Sequence, residues 1–223
     1  MSDISDQHKT VLANLAAASK RAGMSSPADL VAVSKVQPDE RIAAMLETGQ
    51  RIFGENRVQE AQSRWGETFA AHRSDIELRL IGPLQTNKAA DAAALFDVIE
   101  TVDREKLLKA LVKAIGDDGN MPRLYVQVNT GEEPQKAGVL PAELPAFLKL
   151  MRETYNLEPE GLMCIPPAGE AASPHFWMLS NLAAENGVEK LSMGMSGDYE
   201  IAAEMGATSV RVGSALFGAR DYS

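Results

Sequence analysis

From residue 30 onward, short apolar runs alternate with longer stretches in which apolar residues recur every three or four positions. The runs fall at 30–34, 51–53, 77–81, 97–100, 123–128, 159–163, 190–193 and 208–212, and each has the length of a strand. Between them the helical spacing covers approximately 39–49, 57–71, 86–95, 103–116, 141–155, 171–187 and 197–206. Several of these stretches open on capping signals: Pro38-Asp39, Thr86-Asn87, Asp103 and Ser196. Ahead of them all, residues 5–22 belong to an amphipathic pattern carried by Ile4, His8, Val11, Leu12, Leu15 and Ala18. Gly23 is its stop signal.

Eight strands separated by helices imply parallel pairing, with the helices packed outside the sheet. In 223 residues that arrangement predicts an α/β fold, a single (β/α)8 barrel of the TIM type. Residues 1–23 form an extra helix packed on the barrel. No Pro/Gly/Ser linker divides the chain, so 1–223 is expected to be one domain. The rival, an open doubly wound sheet, lacks a Gly-x-Gly-x-x-Gly after the first strand.

In such a barrel, chemistry sits at the C-terminal ends of the strands, and the loops after strands 7 and 8 commonly hold phosphate. Lys35 closes the first apolar run, Leu30-Val31-Ala32-Val33-Ser34-Lys35. It brings an amine to the rim of a core, where desolvation favours the neutral form that attacks carbonyl carbon. Strand 7 leads into Leu191-Ser192-Met193-Gly194-Met195-Ser196-Gly197-Asp198, and strand 8 into Val210-Arg211-Val212-Gly213-Ser214-Ala215-Leu216-Phe217-Gly218. Backbone N–H groups of Ser196, Gly213 and Ser214, with the serine hydroxyls, form a phosphate cradle. Barrel closure puts strand 8 beside strand 1, so Lys35 and Arg211 project at one mouth. The ligand implied is an aldehyde that carries a phosphate.

The net charge of −9 excludes nucleic acid as the main partner, since phosphate backbones select basic faces. No apolar stretch reaches the length of a membrane span. The lone Cys164 excludes a disulfide framework and, with an N-terminus unlike a signal peptide, points to the cytoplasm. Cys164 reads as a small buried hydrophobe. His8, His72 and His175 have no partners at metal-ligand spacing, so no metal site is expected. Met193 and Met195 read as apolar fillers, Lys136 as a solvated loop lysine, and Ser192 as a strand-end hydroxyl outside the site. Glu55 reads as the partner of a cation or the cap of a loop.

Taken in order, these segments are similar to those of the pyridoxal phosphate homeostasis proteins (the YggS/PROSC family), whose barrel is shared with the N-terminal domain of alanine racemase. The resemblance is carried by the Lys35 run, Phe53-Gly54-Glu55-Asn56-Arg57-Val58-Gln59-Glu60, Ile81-Gly82-Pro83-Leu84-Gln85-Thr86-Asn87-Lys88, Val126-Gln127-Val128-Asn129, Lys136-Ala137-Gly138-Val139, Gly161-Leu162-Met163 and the two mouth segments. It implies that Lys35 carries pyridoxal 5′-phosphate (PLP) as an internal aldimine. Ser196, Gly213 and Ser214 would hold the phosphate, Arg211 would face the pyridine nitrogen, and Asn56 would line the pocket. The chain departs from the family pattern in two places. Leu78, Arg79 and Leu80 stand where Trp-His-Phe is usual, and Gln37 stands where many members have a second lysine.

A guanidinium cannot protonate the ring nitrogen, which makes the cofactor a weak electron sink. Racemisation further needs an acid or base on the second face of the cofactor, which a tyrosine of a separate domain supplies in alanine racemase. This chain ends eleven residues after Val212, so no such domain is expected. None of Tyr125, Tyr155, Tyr199 and Tyr222 belongs to a motif that would place it opposite Lys35; Tyr125 falls at the closed end of the barrel. The sequence therefore reads as a PLP carrier or buffer without turnover, monomeric, with PLP-dependent apo-enzymes as candidate recipients. One alternative is a PLP-dependent amino-acid racemase or lyase that borrows its missing group from a partner. The other is a Schiff-base aldolase using Lys35 without cofactor, disfavoured because barrel aldolases place that lysine on a later strand.

Overall fold

Alternation of side chains along each strand divides the apolar residues between two cores, one outside the sheet and one inside it. The computed structural model describes residues 4–116 and 119–218. Eight parallel strands, β1 (Asp29–Val33), β2 (Ile52–Glu55), β3 (Glu77–Leu80), β4 (Val98–Val102), β5 (Arg123–Val128), β6 (Gly161–Cys164), β7 (Lys190–Ser192) and β8 (Ser209–Val212), close into a barrel. The seam pairs β1 with β8 from Asp29 against Ser209 to Ala32 against Val212. Helices α1 (Ile4–Arg21), α2 (Asp39–Glu47), α3 (Val58–Ser63), α4 (Ala89–Leu95), α5 (Glu105–Ile115), α6 (Leu144–Tyr155), α7 (Ala172–Glu185), α8 (Tyr199–Glu204) and α9 (Ser214–Phe217) belong to the α/β repeat or flank it. This is the (β/α)8 barrel that the sequence predicts.

The outer core joins strand residues such as Ala32, Phe53, Leu80, Val126 and Val210 to Leu107, Leu148, Phe176 and Leu216 of the helices. Helix α1 adds Val11, Leu15 and Ala18 to this core and packs against α2, α8 and α9. Buried His8 meets Gln50 at 3.0 Å, and Gln50 donates to the carbonyls of Leu30 (2.6 Å) and Ile52 (2.7 Å). The extra helix is thereby fastened to two barrel strands.

The helix expected over 57–71 is shorter than its pattern. It stops at Ser63, passes through a wide π-type turn at Arg64–Thr68, and ends in a 3₁₀ stretch, Ala70–Asp75. Trp65 explains the break: its ring is buried between Phe53 (4.8 Å) and Phe69 (5.6 Å), while its N–H reaches Glu55. Other ends shift by one to three residues. None of the expected caps makes a side-chain cap bond: α2 starts after Pro38, Thr86 and Asn87 lie in a 3₁₀ turn ahead of α4, α5 begins after Arg104, and α8 is preceded by Asp198, which accepts the Met195 N–H at 2.6 Å.

Inside the barrel the small apolar cluster of Val98, Tyr125 and Met163 is fully packed. Gly161 is obligatory beneath it. A Cβ there would lie 2.2 Å from the Tyr125 ring and 2.6 Å from the Lys190 carbonyl oxygen. Around the floor run charges: Arg79 to Glu77 at 2.5 Å, Arg123 to Glu77 at 2.5 Å, Arg123 to Glu160 at 3.3 Å, and Lys190 to Glu160.

Two outcomes follow. Gly161→Ala overpacks a site whose neighbours include backbone, and should lower unfolding stability by about 1–3 kcal/mol; a urea midpoint shift at unchanged slope measures it. Partial burial opposes ionisation of Glu77, but Arg79 and Arg123 outweigh it and hold the carboxyl below its ordinary range. A depressed folded-state value stabilises the fold above the unfolded carboxyl's range, and this contribution fades as pH falls through the folded value. Stability should drop as the pH is taken below about 4.5, and Glu77→Gln should flatten that acid slope.

Candidate functional site

Lys35 lies two residues beyond the end of β1, not at its last position. The Ser34 N–H still donates to the Gly54 carbonyl at 3.1 Å, prolonging the β2 contact, and the chain then turns. Gln37 N–H closes the turn on the Ser34 carbonyl at 3.1 Å, with Val36 between them at φ +52°. A β-branched residue rarely adopts the left-handed region, and such strain persists only where surroundings over-determine it. Here they do. Arg64 donates to the carbonyls of Ser34 (3.0 Å) and Gln37 (2.9 Å), clasping both ends of the turn. Its guanidinium also bonds the fully buried Glu55 at 2.7 Å. The same carboxylate oxygen takes the Ser34 hydroxyl (2.7 Å) and the Trp65 N–H (3.2 Å). Glu55 therefore pairs with a cation and braces a loop.

At the mouth a pocket of about 320 Å³ brings Lys35, Asn56, Ser196, Arg211, Gly213 and Ser214 together, with Val33, Ile81 and Met195 among its apolar walls. The Ser196 hydroxyl accepts the N–H groups of Gly213 (3.1 Å) and Ala215 (3.3 Å), at the first turn of α9. Ser196 thus joins the loop after β7 to the loop after β8. Asn56 reaches the mouth because the backbone packs tightly at Gly82, where a Cβ would fall 2.3 Å from the Asn56 carbonyl oxygen. Gly194, at φ +92°, permits a similar approach to Ala202. A wider cleft of about 720 Å³ adjoins the pocket, sharing Asn56 and Pro83 with it.

Arg211 points into the barrel and is 4% exposed. It donates to the Ser192 hydroxyl at 2.6 Å and to the Cys164 carbonyl at 2.8 Å. Ser192 in turn donates to Glu100 at 2.6 Å. The other oxygen of Glu100 receives Arg79 at 3.1 Å, and Arg79 also reaches the Ser209 hydroxyl at 3.2 Å. Burial disfavours the charged form of Arg79, but Glu100 and Glu77 outweigh it and raise its pKa above the ordinary arginine value. A continuous polar chain therefore runs from the floor through Arg79, Glu100 and Ser192 to Arg211 at the mouth.

The residues present fit the phosphorylated aldehyde that the sequence implied. The mouth offers an amine, serine hydroxyls beside the N–H groups of a helical turn, and a guanidinium fixed from below. Tyr125 is 2% exposed and lines a small cleft with Asp29 and Lys190, on the floor side; burial pushes its phenol pKa up. Tyr155 and Tyr199 sit on α6 and α8, and Tyr222 lies outside the described residues. Among the described residues no tyrosine lines the mouth pocket.

Sequence reasoning missed Arg64, Glu100 and the bridging role of Ser192, and met Arg79 only as a departure from a motif. The one available signal was a charged residue at an inward position of a strand, which Arg79 and Glu100 both are. Cys164 is fully buried, and burial pushes its thiol pKa up to about 12. His175 is buried between the Thr130 carbonyl (3.2 Å) and Glu170 (3.1 Å). Among the described residues no cluster of His, Cys, Asp and Glu has metal-site geometry, and no helix is long and apolar enough to cross a membrane.

The family described as alanine racemase, N-terminal domain, matches residues 8–221. A pyridoxal phosphate homeostasis protein of Vibrio cholerae is 40% identical, covering 100% of this chain and 99% of its own length. That of Escherichia coli K12 is 34% identical over 100% and 99%. Among solved structures, PipY of Synechococcus elongatus with PLP bound is 35% identical, with a TM-score of 0.82 over 96% of this chain and 100% of that one. At these identities and coverages the chain belongs to the alanine racemase N-terminal domain family and, within it, to the pyridoxal phosphate homeostasis proteins.

Proposed function

We propose that this protein binds pyridoxal 5′-phosphate and serves its homeostasis, holding the cofactor through a Schiff base on Lys35 and carrying out no turnover of its own. The observation that carries this reading is the mouth pocket, which collects an amine, a guanidinium and the Ser196–Gly213–Ser214 cradle within about 320 Å³. The relatives' name supports it, as does the PLP-bound PipY structure. Ser196, Gly213 and Ser214 bind the phosphate. Arg211 faces the ring nitrogen, and Asn56 lines the side of the pocket toward the wider cleft.

PLP, when bound, supplies an electrophilic aldehyde and an electron sink, whose strength depends on what stands beside the ring nitrogen. Arg211 donates and cannot supply or take that proton, so the sink is kept weak. Arg64 and Glu55 orient the turn bearing Lys35. The walls of Val33, Ile81 and Met195 limit water around the amine. The proposed role is storage and delivery of PLP to apo-enzymes in the cytoplasm, by a monomer.

The test is direct. Protein reconstituted with PLP should be yellow. Borohydride reduction should fix the added mass on the peptide containing Lys35, and Lys35→Ala should lose both colour and label. Amino acids incubated with the yellow protein should be neither racemised nor decarboxylated. Turnover at an ordinary 1–10³ s⁻¹ would overturn the carrier reading, and unlabelled Lys35 would overturn the site.

A further inference from the structure

Arg211 is buried, and what it can present to the mouth depends on what holds it below. The Ser192 hydroxyl has one proton. Glu100 accepts and does not donate when ionised, while Arg211 donates and does not accept, so the direction of the chain is fixed: Arg211 to Ser192 to Glu100. Both links are 2.6 Å long. The Glu100 charge polarises the hydroxyl, which strengthens its acceptance from the guanidinium. Direct Arg211–Glu100 contact is longer, 3.8 Å, so the serine is the working link.

Glu100 has two oxygens and two cationic claimants. Arg79 takes Oε1 at 3.1 Å, leaving Oε2 to Ser192. Glu77 holds the Arg79 Nε at 2.5 Å on the floor side. The two arginines share one carboxylate without competing for the same atom.

We propose that Glu100 and Ser192 are positioning residues for Arg211, and that they set the orientation and effective charge with which it meets the pyridine ring, with Arg79 limiting the share of the Glu100 charge available to it. This rests on the reading of the mouth as a PLP site. Neither residue lines the pocket, so both act through Arg211.

The test uses full-length protein loaded with PLP, reading the absorption maximum of the bound cofactor and its release rate into a trapping apo-enzyme. Ser192→Ala should shift the maximum and speed release several-fold, and Ser192→Thr, which keeps the hydroxyl, should restore both toward wild type. Glu100→Gln should act in the same direction and more strongly, at least tenfold in release. Because that variant leaves two buried guanidiniums around an amide and can fail to fold, Ser192→Ala decides the matter. An unchanged maximum and release rate in Ser192→Ala, whatever its melting temperature, would refute the positioning role while leaving the PLP site standing. Wild-type protein that takes up no PLP would remove the site and the proposal together.

Discussion

The buried carboxylate of Glu100 is the constraint around which the barrel interior is arranged. A lone ionised carboxylate in a protein core is strongly disfavoured, and so is a lone guanidinium. Here one carboxylate lies between two arginines, with serines completing the hydrogen bonds. Many barrels fill this space with branched aliphatic side chains. This one gives much of that space to charge, beside an apolar cluster of Val98, Tyr125 and Met163. Arg79 ties Glu100 to the floor ring of Glu77, Arg123, Glu160 and Lys190, so the interior is braced electrostatically from one end to the other. Such a network specifies geometry more than it adds stability, because every member must be matched in place.

The two sides of the mouth are held by different means. Arg211 is fixed from inside the barrel. Lys35 is fixed from outside, by Arg64 and Glu55 acting across the layer between β2 and the turn after α3. Each side rests on a buried acid: Glu55 pairs with Arg64, which clasps the Lys35 turn, and Glu100 holds Arg211 itself through Ser192. Ser196, joining the loops after β7 and β8, is the third tie. The mouth is therefore defined by three local clamps: one on the turn after β1, one on Arg211 of β8, and one between the loops after β7 and β8.

The periodicity of the chain made the barrel legible, because eight apolar runs separated by helical spacing admit few other arrangements. It also located Lys35 and the loops near Ser196 and Gly213, since their position follows from strand order alone. What was illegible has two physical causes. Arg79 and Glu100 are paired through closure of the sheet, not through sequence neighbourhood, and Ser192 gains its role only when Arg211 is brought across from β8. Nor does a branched residue such as Val36 announce the left-handed turn that the clamp of Arg64 imposes on it. The helical spacing over 57–71 suggested one long helix. Tertiary demands on Trp65 and Arg64 overrode it.

The β1–β8 seam has a consequence for the order of events in folding. Lys35 follows the first strand and Arg211 lies in the last, so the mouth does not exist until the sheet has closed on itself across nearly the whole chain. Contacts of that sequence separation must first overcome the entropy of closing a long loop, which makes them slow to form. In a nascent chain Lys35 emerges long before Arg211 can be set beside it. Any ligand gripping both sides of the seam binds the completed fold alone and stabilises it by mass action. Occupancy of the mouth is thus a report on whether the barrel has been finished.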